Sequence, residues 1–219
     1  MKGFLAALLL LAGAASAQES QDWAQLGRYR DEDARLIASG RRPDIVLLGD
    51  SITEGWVSKR PGVFDALRVG RGISGQTTPQ MLVRFRQDVI ALHPKAVQIM
   101  AGTNDIAGNT GPMTPEMTEA NIMSMTELAQ ANGIKVVLAS IPPAADFPWR
   151  PGLGVTGKIV ALNDWMRGYA ASHGAVYADY WSVLQDGKGG MKPGLAYDGV
   201  HPTEQGYDVM LPVLEEALK

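Results

Sequence analysis

The sequence predicts an α/β protein in which a central parallel sheet is covered by helices on both sides. Short, continuous apolar runs recur along the chain, as expected of strands that are buried on both faces. Segments with helical start and stop signals separate these runs, and they are about as long as a crossover between parallel strands requires.

Five segments are candidate strands. Residues 44–48 are apolar after Asp44 and end at Gly49-Asp50-Ser51, where the strand breaks into a turn. Residues 67–70 are a weaker candidate that leads into a glycine-rich stretch. The remaining candidates are residues 96–100, 134–140 and 175–178.

Helix signals lie before and between the candidate strands. Residues 22–39 are expected to form a polar surface helix. A second helix is expected over residues 78–92, with Thr78 as its cap, and a third over residues 115–131.

Two further helices are expected in the C-terminal part of the chain. One covers about residues 157–172, and Thr203 should cap the last helix, which Pro212 should bend or interrupt. The loop over residues 142–156 is longer than most connections, and long loops in compact domains are often functional.

The first seventeen residues are predicted to be a cleaved secretory signal peptide. Lys2 provides a basic start, residues 4–11 are apolar, and residues 15–17 form a small-x-small cleavage site. The apolar run is far shorter than the roughly 20 residues that span a bilayer. Residues 18–219 are therefore expected to form one exported domain, periplasmic or secreted, without a membrane anchor.

Composition excludes several classes of function. The net charge of −3 is small and is not concentrated in blocks, so it gives no reason to expect binding to nucleic acid or to an anionic membrane. The chain has no cysteine, which excludes disulfides, a thiol nucleophile and thiolate metal sites. Its three histidines are far apart in sequence, which argues against a zinc site.

Four segments rich in polar residues and glycine are candidates for the functional site. They are Gly49-Asp50-Ser51, Gly72-Ile73-Ser74-Gly75, Gly102-Thr103-Asn104-Asp105 and Asp198-Gly199-Val200-His201-Pro202. Three of them directly follow a predicted strand, and ligands of open parallel sheets bind beyond the carboxyl ends of the strands. Taken singly, each segment is more typical of an ordinary cap or turn, but their joint occurrence in this order predicts one shared site.

Ser51 and His201 are the candidate nucleophile and base. A serine hydroxyl is a poor nucleophile until a neighbouring base takes its proton, and that base is typically a histidine oriented by a carboxylate. Asp198 lies three residues before His201, close enough for one turn to join their side chains. His93, which precedes a proline, and His173, at a predicted helix end, are better interpreted as surface turn residues.

Ester hydrolysis also requires donors for the developing oxyanion. Gly75 can present its backbone N–H closely because it has no side chain, and Asn104 can add a side-chain N–H. The backbone N–H of Ser51, at the start of a turn or helix, is the natural third donor.

At these residues the sequence resembles the SGNH hydrolases, also called the GDSL-like esterase family. The family is named for the serine, glycine, asparagine and histidine of four sequence blocks, which are similar here to the four segments given above. Their order and spacing cover the chain from about residue 44 to the C-terminus. Ile52 stands where some members have leucine, a conservative change that occurs in branches resembling the acetylhydrolases. The Gly-x-Ser-x-Gly elbow of another common serine esterase fold is absent from the sequence.

The resemblance implies a flavodoxin-like, three-layer α/β/α fold. It also implies that Ser51, Asp198 and His201 form a catalytic triad, with Gly75 and Asn104 at the oxyanion position. Neither a metal nor an organic cofactor is implied.

Three aromatic residues are candidate walls of the substrate pocket. Phe147 and Trp149 lie in the long loop and are equally compatible with packing against the core. Trp56 follows soon after Ser51, and for it core packing is somewhat favoured. The sequence has no long apolar segment that resembles a lipid-binding lid, which favours short acyl chains. Export favours O-acetyl groups on carbohydrate as the substrate.

Three alternatives remain at this point. The same triad would serve a thioesterase or a lysophospholipase. A carbohydrate-binding protein on an inactive hydrolase scaffold is disfavoured by the intact Ser51, Asp198 and His201. A phosphate- or nucleotide-binding flavodoxin-like protein is disfavoured because no phosphate loop with its lysine follows any predicted strand. The oligomeric state is not predicted.

Overall fold

The computed structural model describes residues 22–219, so the predicted signal peptide and its cleavage site lie outside the described residues. Within this range the strands are β1 (Ile45–Gly49), β2 (Arg68–Gly72), β3 (Ala96–Met100), β4 (Lys135–Ala139) and β5 (Val176–Ala178). They form one parallel sheet with the order β2-β1-β3-β4-β5. This is the strand order of flavodoxin-like folds, so the predicted α/β class with a parallel sheet is confirmed.

Helices cover both faces of this sheet. In the described residues they are α1 (Arg30–Ala38), α2 (Ser51–Lys59), α3 (Thr78–Asp88), α4 (Thr103–Ala107), α5 (Pro115–Ala131), α6 (Val155–Ser172), α7 (Tyr180–Leu184) and α8 (Glu204–Ala217). The helices α3, α5 and α6 contribute to one hydrophobic cluster, and α2, α7 and α8 contribute to a second. The architecture is therefore the three-layer α/β/α arrangement.

Strand β1 shows why the apolar runs are continuous rather than alternating. Val46 and Leu48 pack into the first cluster, whereas Ile45 and Leu47 pack into the second. All four side chains are at most 1% exposed. Successive side chains of a strand point to opposite faces, so a sheet covered on both sides requires apolar residues at every position.

The prediction of one helix over residues 22–39 is correct only for its second half. The Asp22 carboxylate accepts hydrogen bonds from the backbone N–H groups of Leu26 (2.7 Å) and Gly27 (2.9 Å). Gln25 is in the left-handed region, with φ of 54°. These local bonds form a turn that competes with the helix, so α1 begins only at Arg30.

Helix α3 is capped by Thr77 and not, as predicted, by Thr78. The Thr77 side chain and that of Gln80 bond reciprocally to the backbone in a capping box. Thr78 instead donates its hydroxyl to Asp105 at the start of α4. The helix ends at Asp88, and a separate 3₁₀ turn (Ile90–Leu92) completes the segment that was predicted as helical.

The C-terminal helix begins as predicted. The Thr203 hydroxyl accepts the N–H of Gly206 at 3.2 Å, and Pro212 lies inside α8 without interrupting it. The short helices α4 and α7 were not predicted, and for α2 only a turn or helix start at Ser51 was expected. None of the helices within residues 22–219 combines the length and apolarity that crossing a bilayer requires.

Candidate active site

The four predicted segments converge beyond the carboxyl ends of the central strands. Ser51 opens α2 directly after β1, Gly75 follows β2, Asn104 lies in α4 after β3, and His201 lies in the turn before α8. All four line a single open cleft of about 640 Å³. The topology therefore brings together residues that are far apart in the chain.

Ser51, His201 and Asp198 form a continuous hydrogen-bonded series. The Oγ atom of Ser51 lies 2.8 Å from Nε2 of His201, and Nδ1 of His201 lies 2.6 Å from Oδ2 of Asp198. The other oxygen of Asp198 accepts the backbone N–H groups of Val200 (3.0 Å) and His201 (2.8 Å). Burial acts to raise the pKa of Asp198, but these hydrogen bonds outweigh it and leave the pKa below the ordinary carboxyl value. The carboxylate is thus an anion that can orient the imidazole.

The backbone around Ser51 is held tightly by its neighbours. The Asp50 carboxylate caps α2 by accepting the N–H of Ile52 at 2.9 Å. A β-carbon at Gly72, the last residue of β2, would lie only 2.2 Å from the backbone nitrogen of Glu54. Only glycine therefore allows the end of β2 to pack against the first turn of the helix that carries Ser51.

Three donors line the cleft beside the Ser51 hydroxyl. The N–H of Ser51 is at the first position of α2, where no intrahelical acceptor exists. Gly75 has a φ of +77°, and its N–H has no acceptor among residues 22–219. The side-chain nitrogen of Asn104 lies 3.0 Å from the carbonyl oxygen of Gln76 and 3.3 Å from Oδ2 of Asp50. These are the three groups that the sequence suggested as oxyanion donors.

Asp50 is a buried carboxyl group next to Ser51. Its residue is 1% exposed, and burial raises its pKa to about 6, even though the Ile52 N–H and the nearby His201 favour the charged form. No sequence signal marks this shift, because an aspartate in front of a helix is typical of an ordinary cap.

Arg84 is a buried residue that links two parts of the site, and the sequence did not predict its role. It is fully buried, donates through Nε to the Gln76 side chain (2.6 Å) and through Nη2 to the Gly49 carbonyl (3.0 Å). Its charge is balanced by Asp88 at 2.9 Å. Arg84 thereby connects Gly49, which precedes Asp50, with Gln76, whose carbonyl accepts the Asn104 side chain. An arginine within a helix normally indicates a solvated face, so no sequence signal marked it.

Two exposed aromatic rings flank His201. The Trp149 ring is tilted against the imidazole at 5.9 Å between centroids, and the Tyr197 ring is stacked on it at 5.7 Å. The two residues are 41% and 61% exposed. The ammonium group of Lys59 lies 4.8 Å from the centroid of Tyr197. Tyr197 and Lys59 both line the cleft, and neither was predicted to do so.

Trp56 and Phe147 do not reach the cleft, contrary to prediction. Trp56 is fully buried on the inner face of α2, where its ring stacks on that of Tyr207 at 5.4 Å between centroids and contacts Tyr180 edge to face. Phe147 is also fully buried, and its ring stacks under Trp149 at 4.9 Å. Phe147 thus supports a cleft residue from behind instead of facing the substrate.

The remaining two histidines lie outside the cleft. His93 ends the 3₁₀ turn before β3, and His173 follows the end of α6. Over residues 22–219 no group of three or more metal-ligating side chains occurs.

Comparison with known proteins places this arrangement in a family. Residues 47–209 match the sequence model of the GDSL-like lipase/acylhydrolase family. The crystal structure of a GDSL-like lipase from Bacteroides thetaiotaomicron VPI-5482 is similar, with a TM-score of 0.83 and 43% sequence identity. That similarity covers 89% of this chain and 97% of the lipase chain.

Two curated proteins are also similar in sequence. Esterase TesA of Pseudomonas aeruginosa is 29% identical over 176 residues, which cover 73% of this chain and 79% of the esterase. An uncharacterized lipoprotein of Bacillus subtilis (strain 168), YqeF, is 32% identical over 120 residues, or 46% of this chain. The match spans 49% of that lipoprotein, about half of its length.

Proposed function

This chain belongs to the GDSL-like lipase/acylhydrolase family and is a carboxylic ester hydrolase, and from that premise we propose its mechanism, substrate and location. It is an exported serine esterase that removes short acyl groups, chiefly O-acetyl groups, from carbohydrate. Ser51 is the nucleophile, His201 the base, and Asp198 the residue that orients the base. The observation that carries the proposal is the unbroken series Ser51–His201–Asp198, with contacts of 2.8 Å and 2.6 Å.

The reaction begins at the Ser51 hydroxyl. Its oxygen attacks the ester carbonyl carbon while Nε2 of His201 takes the hydroxyl proton, and Asp198 stabilises the resulting imidazolium. The tetrahedral intermediate collapses, the alcohol leaves with the proton from His201, and an acyl-enzyme remains on Ser51. Water then attacks the acyl carbonyl, with His201 again as base, and releases the carboxylic acid and free Ser51.

The oxyanion of each intermediate is stabilised by the N–H groups of Ser51 and Gly75. Asn104 adds its side-chain N–H, which in the free protein contacts Gln76 and, more distantly, Asp50. The 3.3 Å contact with Asp50 is the weaker of the two, so it is the one that an oxyanion shares or replaces. Donors that are fixed before the reaction stabilise the developing charge without reorganisation.

The lining of the cleft supports a small, polar substrate. Beside the Ser51 hydroxyl it is formed largely by polar side chains; these are Glu54, Ser58, Lys59, Ser74 and Asn109. A long acyl chain gains most from an apolar channel, and such a lining does not supply one. Short acyl groups lose little by that absence.

The two exposed rings support carbohydrate as the alcohol part. The rings of Trp149 and Tyr197 both lie against the His201 imidazole, at 5.9 Å and 5.7 Å between centroids, and this imidazole delivers the proton to the leaving alcohol. Exposed aromatic rings provide a large, rigid apolar face, suited to the C–H face of a sugar ring. The sugar that carries the ester is thereby held next to the proton donor.

Export rests on the N-terminal sequence. Lys2, the apolar residues 4–11 and the small residues at 15–17 have the arrangement of a secretory signal peptide. Fractionating the producing cells and determining the N-terminal sequence of the mature protein would test it. Export predicts a mature chain that begins at about residue 18, whereas an intact leader in the cytoplasmic fraction would contradict it.

A substrate panel tests the proposed activity. It compares acetylated oligosaccharides with p-nitrophenyl esters of acetate, butyrate and octanoate, a lysophospholipid and an acyl thioester, with Ser51→Ala as the control. We expect the highest kcat/KM on acetyl esters and no esterase activity with Ser51→Ala. Preference for octanoyl esters, the lysophospholipid or the thioester would refute the acetyl assignment. Full activity of Ser51→Ala would refute the triad itself.

A further inference from the structure

We propose that Glu54 is a positioning residue that fixes the Ser74–Gly75 loop and thereby aims the Gly75 N–H at the oxyanion; this rests on the proposed function. Glu54 lies on α2, three residues after Ser51. One of its carboxylate oxygens, Oε2, accepts both the backbone N–H of Ser74 (2.9 Å) and the Ser74 hydroxyl. Ser74, which precedes Gly75, thus forms two hydrogen bonds to α2, the helix that begins at Ser51.

Within the loop, the peptide between Ser74 and Gly75 has no partner of its own among residues 22–219. In this range, Ser74 is bonded only to Glu54, and neither the Ser74 carbonyl nor the Gly75 N–H is hydrogen-bonded. Gly75 is in the left-handed region, and a β-carbon there would meet nothing closer than the Asn109 side-chain nitrogen at 3.9 Å. The residues on either side are held firmly: the Ile73 N–H donates to the Gly49 carbonyl at 3.1 Å, and Gln76 is bonded to Arg84 at 2.6 Å and to Asn104 at 3.0 Å. Between them, the one bond to Ser74 or Gly75 in the described part of the chain that does not involve Glu54 is the long contact from Asn109 to the Gly75 carbonyl at 3.3 Å. The bonds to a carboxylate are charge-assisted and therefore the stronger ones. Without Glu54, the Ser74–Gly75 peptide, which carries the Gly75 N–H, is free to rotate between its two fixed neighbours.

Arg28 completes the arrangement from outside the sequence motif. Its Nη2 atom donates to Oε1 of Glu54 at 3.2 Å, so each carboxylate oxygen has its own partner. Burial acts to raise the pKa of Glu54, but the hydrogen bonds from Ser74 and Arg28 outweigh it and leave the pKa below the usual value. The anionic form, which accepts all three bonds, is therefore the stable one.

The Arg28 contact also resolves an electrostatic conflict. Glu54 lines the same cleft as Ser51, and an unpaired carboxylate there would oppose the negative charge that develops on the carbonyl oxygen. Pairing one carboxylate oxygen with a guanidinium and the other with two loop donors compensates this charge locally. The N-terminal turn, which precedes the first helix, thus contributes to the oxyanion site.

The test compares Glu54→Ala and Glu54→Gln with Glu215→Ala, measured in the full chain. Glu215 is a matched control, because it forms a surface ion pair with Arg68 at 2.6 Å, and that pair lines a separate cleft with Ile45 and Ala96, at the amino ends of β1 and β3. The measurements are kcat and KM on p-nitrophenyl acetate, the Ki of a small trifluoromethyl ketone that adds to a catalytic serine, and the thermal unfolding midpoint.

Glu54→Ala is expected to lower kcat about 10- to 100-fold, less than or equal to the loss of a whole oxyanion donor. KM should change less than about 3-fold, and Ki should rise in parallel with the fall in kcat/KM, because both report the oxyanion. Glu54→Gln keeps an acceptor for Ser74 but loses the ion pair, so its loss should be smaller. Glu215→Ala should match the wild type.

Two results would overturn the inference: a kcat for Glu54→Ala within 2-fold of wild type, or a fall in kcat without the matching rise in Ki. If Glu54→Ala unfolds, Glu54→Gln with Arg28→Met supplies the same comparison. These results differ from those expected if the proposed function is wrong, because in that case Ser51→Ala keeps its esterase activity.

Discussion

The Ser51 hydroxyl oxygen and Nε2 of His201 lie 2.8 Å apart although 150 residues separate them in the chain. Two contacts hold the segments that carry them. The Tyr207 hydroxyl in α8 donates to the carbonyl of Ile52 in α2 at 2.8 Å. The Tyr197 N–H donates to the His201 carbonyl at 3.1 Å and closes the turn before α8. The helix that follows His201 is thus docked onto the helix that begins at Ser51.

Replacing Asp198 by Asn should lower kcat strongly without unfolding the protein. The amide oxygen can still accept the backbone N–H groups of Val200 and His201, but its NH₂ group would face Nδ1 and favour the wrong tautomer. We expect a loss of about 10²- to 10⁴-fold in kcat on p-nitrophenyl acetate, with little change in KM. Asp179→Asn is the control, since Asp179 caps α7 outside the cleft. An Asp198→Asn variant with more than half of the wild-type kcat would contradict the triad.

Replacing Asn104 by Ala should remove one oxyanion donor. The expected loss is about 10²- to 10³-fold in kcat, the usual effect of losing such a donor. Asn132→Ala is a matched control, because the Asn132 side chain donates to the Leu128 carbonyl at the exposed end of α5. Equal kcat values for the two variants would exclude Asn104 from the oxyanion site.

Replacing Trp149 or Tyr197 by Ala should affect carbohydrate esters selectively. Loss of one stacking face should raise KM for an acetylated oligosaccharide about 10-fold, equivalent to about 1.4 kcal/mol. KM for p-nitrophenyl acetate, which has no sugar, should change less than about 3-fold. Trp23→Ala is the control, since Trp23 is 50% exposed but does not line the cleft. A uniform effect on both substrates would argue against carbohydrate stacking.

Asp50 should make folding stability depend on pH in an unusual direction. Its pKa of about 6 in the folded protein lies above the ordinary carboxyl value of 3.8, so between these two pH values the native state binds more protons than the unfolded state. The contribution of Asp50 to stability is therefore fully present below about pH 4 and decreases as the pH rises through 6. Ionisation of this group destabilises the fold at neutral pH.

The Asp50→Asn variant isolates this effect. The unfolding free energy of Asp50→Asn minus that of the wild type should rise by about 2 kcal/mol as the pH increases from about 4.5 to 7.5. Activity should fall all the same, because an amide cannot accept from both Ile52 and Asn104 as the carboxylate does. Denaturant unfolding at several pH values measures the shift. A difference that is constant with pH would show that Asp50 is not buried as an acid.

The strands and the cleft could be predicted because their signals are local. A sheet covered on both faces requires continuous apolar runs, and its topology brings the residues after β1, β2 and β3 to one edge. The error over residues 22–39 has a local cause as well, since Asp22 bonds to the backbone of Leu26 and Gly27. The sequence shows that Asp22 is able to form such bonds, but it does not show that they prevail over a helix.

The helical position of Trp56 relative to Ser51 explains why Trp56 does not line the cleft. Once α2 is known to begin at Ser51, position 56 lies about 140° around the helix from the nucleophile, whereas positions 54, 55 and 58 share its face. The cleft is indeed lined by Glu54, Gly55 and Ser58, and Trp56 is buried. Tyr197 and Arg84 differ, because their roles depend on tertiary contacts that no spacing in the sequence encodes.

Covalent labelling shows directly whether Ser51 supplies the nucleophilic oxygen. The wild-type protein is treated with a small fluorophosphonate and digested, and the modified peptide is identified by mass spectrometry while esterase activity is followed. We expect one adduct, on Ser51, whose formation parallels the loss of activity and which is absent from Ser51→Ala. An adduct on another residue that parallels inactivation, or full inactivation with Ser51 unmodified, would contradict it.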